Sequence, residues 1–287
     1  MSSPTTHAVR QPGQLTSRRI ASPSSAILNV KNNGLLHRGQ LKFKPPTVMR
    51  LLEGPSGLKV ALASRQVYES LVLPRSFMRV EKVISSPLDN NAYFLFDEAS
   101  RQAAVVDPAL AGKELLAMSE KFGAKIVYIL NTHGHPDSTA DDASIRTTTG
   151  AKIAIFEVDA PRLEKNARGT RWFLPAPPAP VKADVLLKEG SELKLGDLVI
   201  TTLHTPGHTE GSACFHVETA GALFTGDTLY AGSCGRTDVQ GGSPAKMVFT
   251  LRRLKELPAE TRVYPGHGPE TTIGDETWIS DLTYPVV

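Results

Sequence analysis

Four times in this chain a short apolar, β-prone run stops at a turn that carries histidine or aspartate. Residues 125–130 lead to His133, 198–203 to His208, 222–224 to Asp227 and 262–264 to His267. Side chains on short loops at strand ends converge when the strands end along one edge of a sheet. The pattern therefore asks for a scaffold of sheets with its polar loops gathered at a common edge. The rest of the sequence fits such a scaffold. Residues 79–85 alternate, and 92–96 and 103–106 are short β-rich runs separated by Asn, Asp, Ser and Pro. Further strands are expected at Lys152–Phe156 and Ala213–Val217. Gly112–Phe122 has helical spacing, with Leu115, Leu116, Met118 and Phe122 able to share a face. Helices are also expected over residues 139–149 and 244–256, the second with Ser243 as its cap and Pro244 at its first position. Residues 172–180 are Pro-rich and read as an extended loop. Strands with interspersed helices give an α/β (layered α+β) domain over residues 78–287.

Before Met78 the composition is different. Residues 1–77 hold eleven Lys and Arg against Glu53 and Glu69, and residues 1–50 hold no acid at all. The first 77 residues thus carry +9 of a whole-chain charge of +3, which leaves −6 for the remainder. The mildly basic average describes neither part and gives no reason to expect a nucleic-acid partner. An acid-free, hydroxyl-rich, basic N-terminus has the composition of an organelle transit peptide. A disordered tail and a chain that properly starts at Met78 are the other two readings. Residues 51–77 are more apolar but show no clear period. A transit peptide would place the protein in a chloroplast or mitochondrion; otherwise the cytoplasm is expected. No apolar segment with a small-residue cleavage site marks a secretory signal. No apolar run approaches the roughly 20 residues of a membrane-spanning helix, so a soluble protein without a membrane partner is expected. Cys214 and Cys234 form no CxxC pair, which fits a reducing compartment better than a disulfide framework.

The chemistry lies in the turns. The first reads Thr132-His133-Gly134-His135-Pro136-Asp137-Ser138, the second Thr205-Pro206-Gly207-His208-Thr209-Glu210-Gly211-Ser212. The third is Thr225-Gly226-Asp227-Thr228 and the fourth Tyr264-Pro265-Gly266-His267-Gly268. Imidazoles two residues apart with a carboxylate two further on can bind one or two ions from a tight turn, and Gly134 lets the backbone approach closely. Taken singly, each turn reads as structure. Together they place four of the six histidines after Met78 in Gly-rich turns, and His and Asp ligands suit Zn²⁺, Mn²⁺ or Fe²⁺. His204 and His216 lie outside the turns and are read as structural.

Two segments carry a family resemblance. They are Gly226-Asp227-Thr228-Leu229-Tyr230-Ala231-Gly232 with Gly235-Arg236-Thr237-Asp238 and Gly241-Gly242, and Val263-Tyr264-Pro265-Gly266-His267-Gly268-Pro269-Glu270-Thr271-Thr272-Ile273-Gly274. With the four turns, they make residues 78–276 resemble the metallo-β-lactamase superfamily. Within it they resemble the short glyoxalase II-like (hydroxyacylglutathione hydrolase-like) hydrolases. The resemblance implies a four-layer αβ/βα sandwich. It implies that His133, His135 and His208 hold a first metal, that Asp227 bridges, and that Asp137 and His267 hold a second. The family pattern is HxHxDH, and Ser138 stands where the last His belongs. A serine hydroxyl binds zinc weakly unless ionised, so the second position is weakened. Three protein ligands remain there, as in many catalytic zinc sites. A dinuclear centre with a weak second site, a mononuclear centre and a decayed, non-catalytic domain are the three outcomes.

The resemblance implies a metal-dependent hydrolase with one or two zinc ions, iron or manganese being compatible, acting on a small-molecule thioester or related ester. A metal-bound hydroxide would attack the carbonyl. Asp137 would orient it, and Asp227 is the second candidate catalytic carboxylate. Arg236 could hold a substrate carboxylate or a structural acid, the structural role being the expected one, and Tyr230 is expected to pack ordinarily rather than form a pocket wall. Glyoxalase II enzymes bind glutathione through an additional C-terminal helical region. This chain ends twenty residues after His267, so glutathione thioesters are not implied by the site alone. The runner-up is a mononuclear non-haem iron persulfide dioxygenase. The run Cys234-Gly235-Arg236-Thr237-Asp238-Val239-Gln240 looks like those enzymes, and His133, His208 and Asp227 supply two histidines and a carboxylate. A non-catalytic scaffold domain is the third reading. β-Lactam hydrolysis is not expected without a secretory signal, and the sequence leaves oligomeric state open.

Overall fold

The computed structural model describes residues 78–165, 174 and 176–283. The three readings of residues 1–77 lie outside the described residues, as do Trp172, Phe173 and Pro175 of the expected loop. The described strands form two six-stranded sheets. The first runs β1 (Met78–Ser85), β2 (Asn90–Asp97), β3 (Gln102–Val106), β4 (Lys125–Asn131), β5 (Lys152–Phe156) and β6 (Val185–Leu187), in that spatial order. Strands β1 to β3 pair antiparallel and β3 to β6 parallel. Helix α1 (Gly112–Phe122) joins β3 to β4, α2 (Asp142–Thr149) joins β4 to β5, and α3 (Ala160–Leu163) follows β5. The second sheet holds β7 (Glu192–Leu195), β8 (Leu198–His204), β9 (Ala213–Val217), β10 (Ala222–Gly226), β11 (Arg262–Pro265) and β12 (Thr271–Thr272), with α4 (Pro244–Leu254) between β10 and β11. Only β10 and β11 pair parallel here.

The layering follows from side-chain alternation. All eight residues of β2 are buried, and a strand turns successive side chains to opposite faces, so β2 needs a packed layer on each side. Phe94 and Phe96 join Val105, Leu115, Ile129, Ile145 and Ile153 beneath the helices. Tyr93 and Leu95 meet Phe215, Val217, Phe224 and Tyr264 of the second sheet. That sheet's far face packs Leu223 and Val263 against Met247, Leu251 and Leu254 of α4. The result is the expected αβ/βα order. Each fully buried Phe or Leu contributes on the order of 2 kcal/mol through removal from water, so the layer beneath the first sheet's helices and the inter-sheet layer both hold the fold together.

The expected elements are present, with shifted ends. Ser243 caps α4 by accepting from the Lys246 N–H, but the helix stops at Leu254, and the Glu256 and Leu257 N–H groups bond three residues back, to Arg253 and Leu254, before Pro258. Helix α2 begins at Asp142 instead of residue 139: the Asp142 N–H bonds to the Thr139 carbonyl in a turn, and the Asp142 side chain is taken by Asn131. Strands β6, β7 and β12 and helix α3, two to four residues each, are too short for a period to stand out in sequence. None of the described helices is long and apolar enough to cross a membrane.

Candidate metal centre

Parallel strands β3, β4 and β5 all end at one edge of the first sheet, and β2, running the other way, begins there. The chain leaves β4 into His133 and His135, β3 into Asp107 and β5 toward Asp159, while Asn90 opens β2. In the second sheet, β8, β10 and β11 end at the matching edge and deliver His208, Asp227 and His267. Backbone bonds join the two edges: the Asn91 N–H donates to the Gly266 carbonyl at 2.7 Å, and the Ala213 N–H to the Thr132 carbonyl at 2.8 Å. The strand-end pattern in the sequence is thus realised as a single mouth between two sheets.

His133, His135 and His208 meet there. Their ring centroids are 4.7 to 4.9 Å apart and each pair of rings lies within a few degrees of perpendicular, at 83° to 88°. One nitrogen from each ring falls within 4.8 Å of the other two. The hydrogen bonds behind the rings set the tautomers. His208 Nδ1 is 2.7 Å from the Arg236 carbonyl, which only accepts, so Nδ1 carries the proton and Nε2 the lone pair. His133 Nδ1 is 3.0 Å from Thr132 Oγ1, whose own hydrogen goes to Asp107 Oδ2 at 2.6 Å. The hydroxyl therefore accepts from Nδ1–H, and His133 Nε2 is left with a lone pair. That Nε2 is buried and has no hydrogen-bond partner. A buried acceptor without a partner is costly, and a cation held by three imidazole lone pairs removes the cost. The donor set fits Zn²⁺ and its first-row neighbours.

Electrostatics favour the neutral rings a metal requires. Burial, then the neighbouring rings of His135 and His208, holds the His133 pKa well below its ordinary value. Burial and the His208 ring bring His135 down to about 4. Behind them, burial pushes the Asp107 carboxyl up to about 7 against the bonds from the Thr132 hydroxyl and N–H.

The other three expected ligands flank this cluster. Asp227 Oδ2 is 3.5 Å from His208 Nε2, and Oδ1 is 3.8 Å from His267 Nε2. Burial raises the Asp227 pKa, with His208 and His267 pulling it back. Asp137 Oδ2 accepts from Asn90 Nδ2 at 3.1 Å, and the same amide nitrogen is 3.5 Å from His267 Nε2. A Cβ on Gly266 would lie 2.5 Å from Asp227 Oδ1, so this position must be glycine for the carboxylate to keep its place. Ser138 is buried in the turn, its N–H on the His135 carbonyl and its own carbonyl accepting from Ala109. No imidazole reaches toward His267 from there.

Arg236 forms an exposed bidentate pair with Asp238 at 2.8 and 2.9 Å, the structural acid expected for it. His204 stacks on Phe156 at 4.1 Å and bonds the Glu210 carbonyl, a structural role. Tyr230 does more than pack: its ring stands edge-on to His267 at 5.9 Å, and burial together with the nearby Asp227 carboxylate raises its pKa. Asn90, Asp107, Thr132 and Asp159 were not singled out from sequence. Asp107 and Asp159 follow β3 and β5 as the ligands follow theirs, and the same strand-end rule applied to every strand would have found them.

The family model for the metallo-beta-lactamase superfamily matches residues 86–267. A hydroxyacylglutathione hydrolase of Methylococcus capsulatus is 37% identical over 179 residues, and this chain spans 62% of that relative's length, as the match spans 62% of this one. Among solved structures, the BLEG-1 B3 metallo-beta-lactamase is 30% identical with a TM-score of 0.65, over 72% of this chain and 98% of that one. TTHA1623 in a di-iron-bound form is 34% identical with a TM-score of 0.60, over 72% and 100%. With two sheets, a shared ligand edge and a His-rich metal site typical of its enzymes, the chain belongs to the metallo-β-lactamase superfamily.

Proposed function

We propose that this protein is a glyoxalase II-like metal-dependent hydrolase of thioesters or related esters, with zinc at the His133, His135 and His208 position and a weaker second position at Asp137, Asp227 and His267. The observation that carries the reading is the partnerless, buried Nε2 of His133 facing two further imidazoles. An ion bound there supplies Lewis acidity at the carbonyl and water acidic enough to attack near neutral pH. The chain's own groups do the rest. Thr132 and Arg236 turn the lone pairs of His133 and His208 inward. Asn90 holds Asp137 by Oδ2, leaving Oδ1 to orient a water. Gly266, with no Cβ, leaves Asp227 its place between His208 and His267. The thioester substrate is supported by the hydroxyacylglutathione hydrolases among the relatives.

Ser138 favours one second reading, the mononuclear iron persulfide dioxygenase, because the loss of a sixth ligand does not harm a single-ion site. Metal analysis of the purified full chain, coupled to a panel of thioesters and glutathione persulfide, separates them. Zinc with thioester turnover supports the hydrolase. One iron with oxygen uptake on the persulfide supports the dioxygenase, and no metal refutes both.

A further inference from the structure

The three imidazoles come from two sheets, His133 and His135 from the first and His208 from the second. The layer between the sheets is apolar, and apolar contact has no direction. An ion site needs its ligands placed within roughly 0.5 Å. Two backbone bonds, Asn91 to Gly266 and Ala213 to Thr132, tie the edges beside the cluster, and the His135 and His208 turns beyond them need a directional hold of their own.

We infer that Asp159 is the positioning residue that locks the His133–His135 turn to the His208 turn; the inference rests on reading the cluster as a metal site. Asp159 is 1% exposed. Its Oδ2 accepts from the Gly134 N–H at 2.9 Å and from the Thr209 hydroxyl at 2.8 Å. Its Oδ1 accepts from the Gly211 N–H at 3.1 Å and from Arg162 Nε at 3.2 Å. Gly134 lies between the two histidines of one turn, and Thr209 follows the histidine of the other. One carboxylate thus grips both turns, with four donors filling its four acceptor sites. Saturated in this way, Asp159 orients the ligands and is not one itself. The fit is close. A Cβ on Gly211 would stand 2.6 Å from the Asp159 nitrogen and 2.8 Å from Oδ1, and one on Gly134 would stand 3.1 Å from the Asp159 carbonyl. The grip extends further through Arg162, which donates to the Gln240 carbonyl at 2.8 Å, in the segment whose Arg236 carbonyl orients His208.

The test is Asp159→Asn in the full-length chain. It keeps the shape but turns a donor amide toward two of the four donors. Zinc affinity, measured by competition with a chromogenic chelator, is expected to fall 10–100-fold. The visible spectrum of the cobalt-loaded protein is expected to shift as the ligand geometry relaxes. Ile153→Val, which loosens the same sheet without touching either turn, is expected to keep both wild-type affinity and spectrum. Wild-type affinity and spectrum in Asp159→Asn overturn the inference. So does an equal loss in Ile153→Val, since general loosening would then suffice. Where Asp159→Asn does not fold, Thr209→Val removes one of the four bonds and is expected to weaken zinc severalfold; unchanged affinity there overturns the inference too. A wild-type chain that takes up neither zinc nor cobalt instead defeats the metal reading, and the inference falls with it.

Discussion

Thr132→Val tests how the protein prepares His133. Thr132 is fully buried, and valine keeps its shape while replacing the hydroxyl by a methyl. Two contacts go: the 2.6 Å bond to Asp107 Oδ2 and the 3.0 Å contact with His133 Nδ1. Asp107 keeps the Thr132 backbone N–H on Oδ1 but loses its second partner, and the Nδ1–H of His133 faces a methyl. A buried polar group left without a partner costs about 1–3 kcal/mol, so the two together destabilise by roughly 2–6 kcal/mol. For a domain of this size each kcal/mol lowers Tm by about 2–4 °C, so a fall on the order of 10 °C is expected for the metal-free protein. The effect on metal binding has a separate cause. Without an acceptor at Nδ1, the proton loses its reason to stay there, and the Nε2–H tautomer presents a hydrogen to the ion. A tautomer preference of about 1.4–2.7 kcal/mol corresponds to a 10–100-fold weaker affinity. Thermal unfolding of the metal-free protein and zinc competition with a chelator read the two effects, with Thr132→Ser as the rescue because it restores the hydroxyl. Wild-type zinc affinity in the valine variant, or a serine variant as weak as the valine one, refutes the tautomer argument.

Ser138→His restores the imidazole that the family pattern places beside Asp137. It is expected to raise metal content toward two equivalents and to increase thioester turnover; metal analysis that stays at the wild-type value would mean the second position plays no part here. In the metal-free protein, the His135 ring is expected to titrate near pH 4, because burial and the His208 ring disfavour its charge. Its folded-state pKa lies below the unfolded value of about 6.5, so the unfolded chain binds the extra proton first. The stability linked to His135 is therefore fully present above about pH 6.5 and lost as the pH falls toward 4. Imidazole proton shifts followed by NMR check this, and a midpoint at or above 6.5 contradicts it.

What the sequence disclosed, and what it hid, has a physical basis. Strands β5 and β9 and helix α1 were legible to the residue, because Ile153–Phe156 is an apolar run opened by Lys152, Ala213–Val217 is apolar but for His216, and Gly112–Phe122 ends at Gly123, whose φ of 57° suits a left-handed cap. The His133, His135 and His208 cluster was legible because each turn breaks an apolar strand with a Gly-flanked histidine. Partners chosen by distance left no such trace. Asp159 stands after β5 as a ligand would, but its partners lie 25 residues away at Gly134 and 50 at Thr209, and no local signal pairs it with either. Asn90 reaches Asp137 across 47 residues and His267 across 177. Thr132 looks like an ordinary strand-end threonine, and only the fold shows its hydroxyl between a carboxylate and a ring nitrogen.

The central claim is that imidazoles from two different sheets share one cation. X-ray absorption at the zinc edge, on full-length protein loaded with one equivalent of zinc, tests it most directly. The account predicts three imidazole nitrogens at about 2.0–2.1 Å, with multiple-scattering features from the rings that drop to two rings in His208→Ala. A zinc shell with sulfur at about 2.3 Å, or one that His208→Ala leaves unchanged, would contradict it.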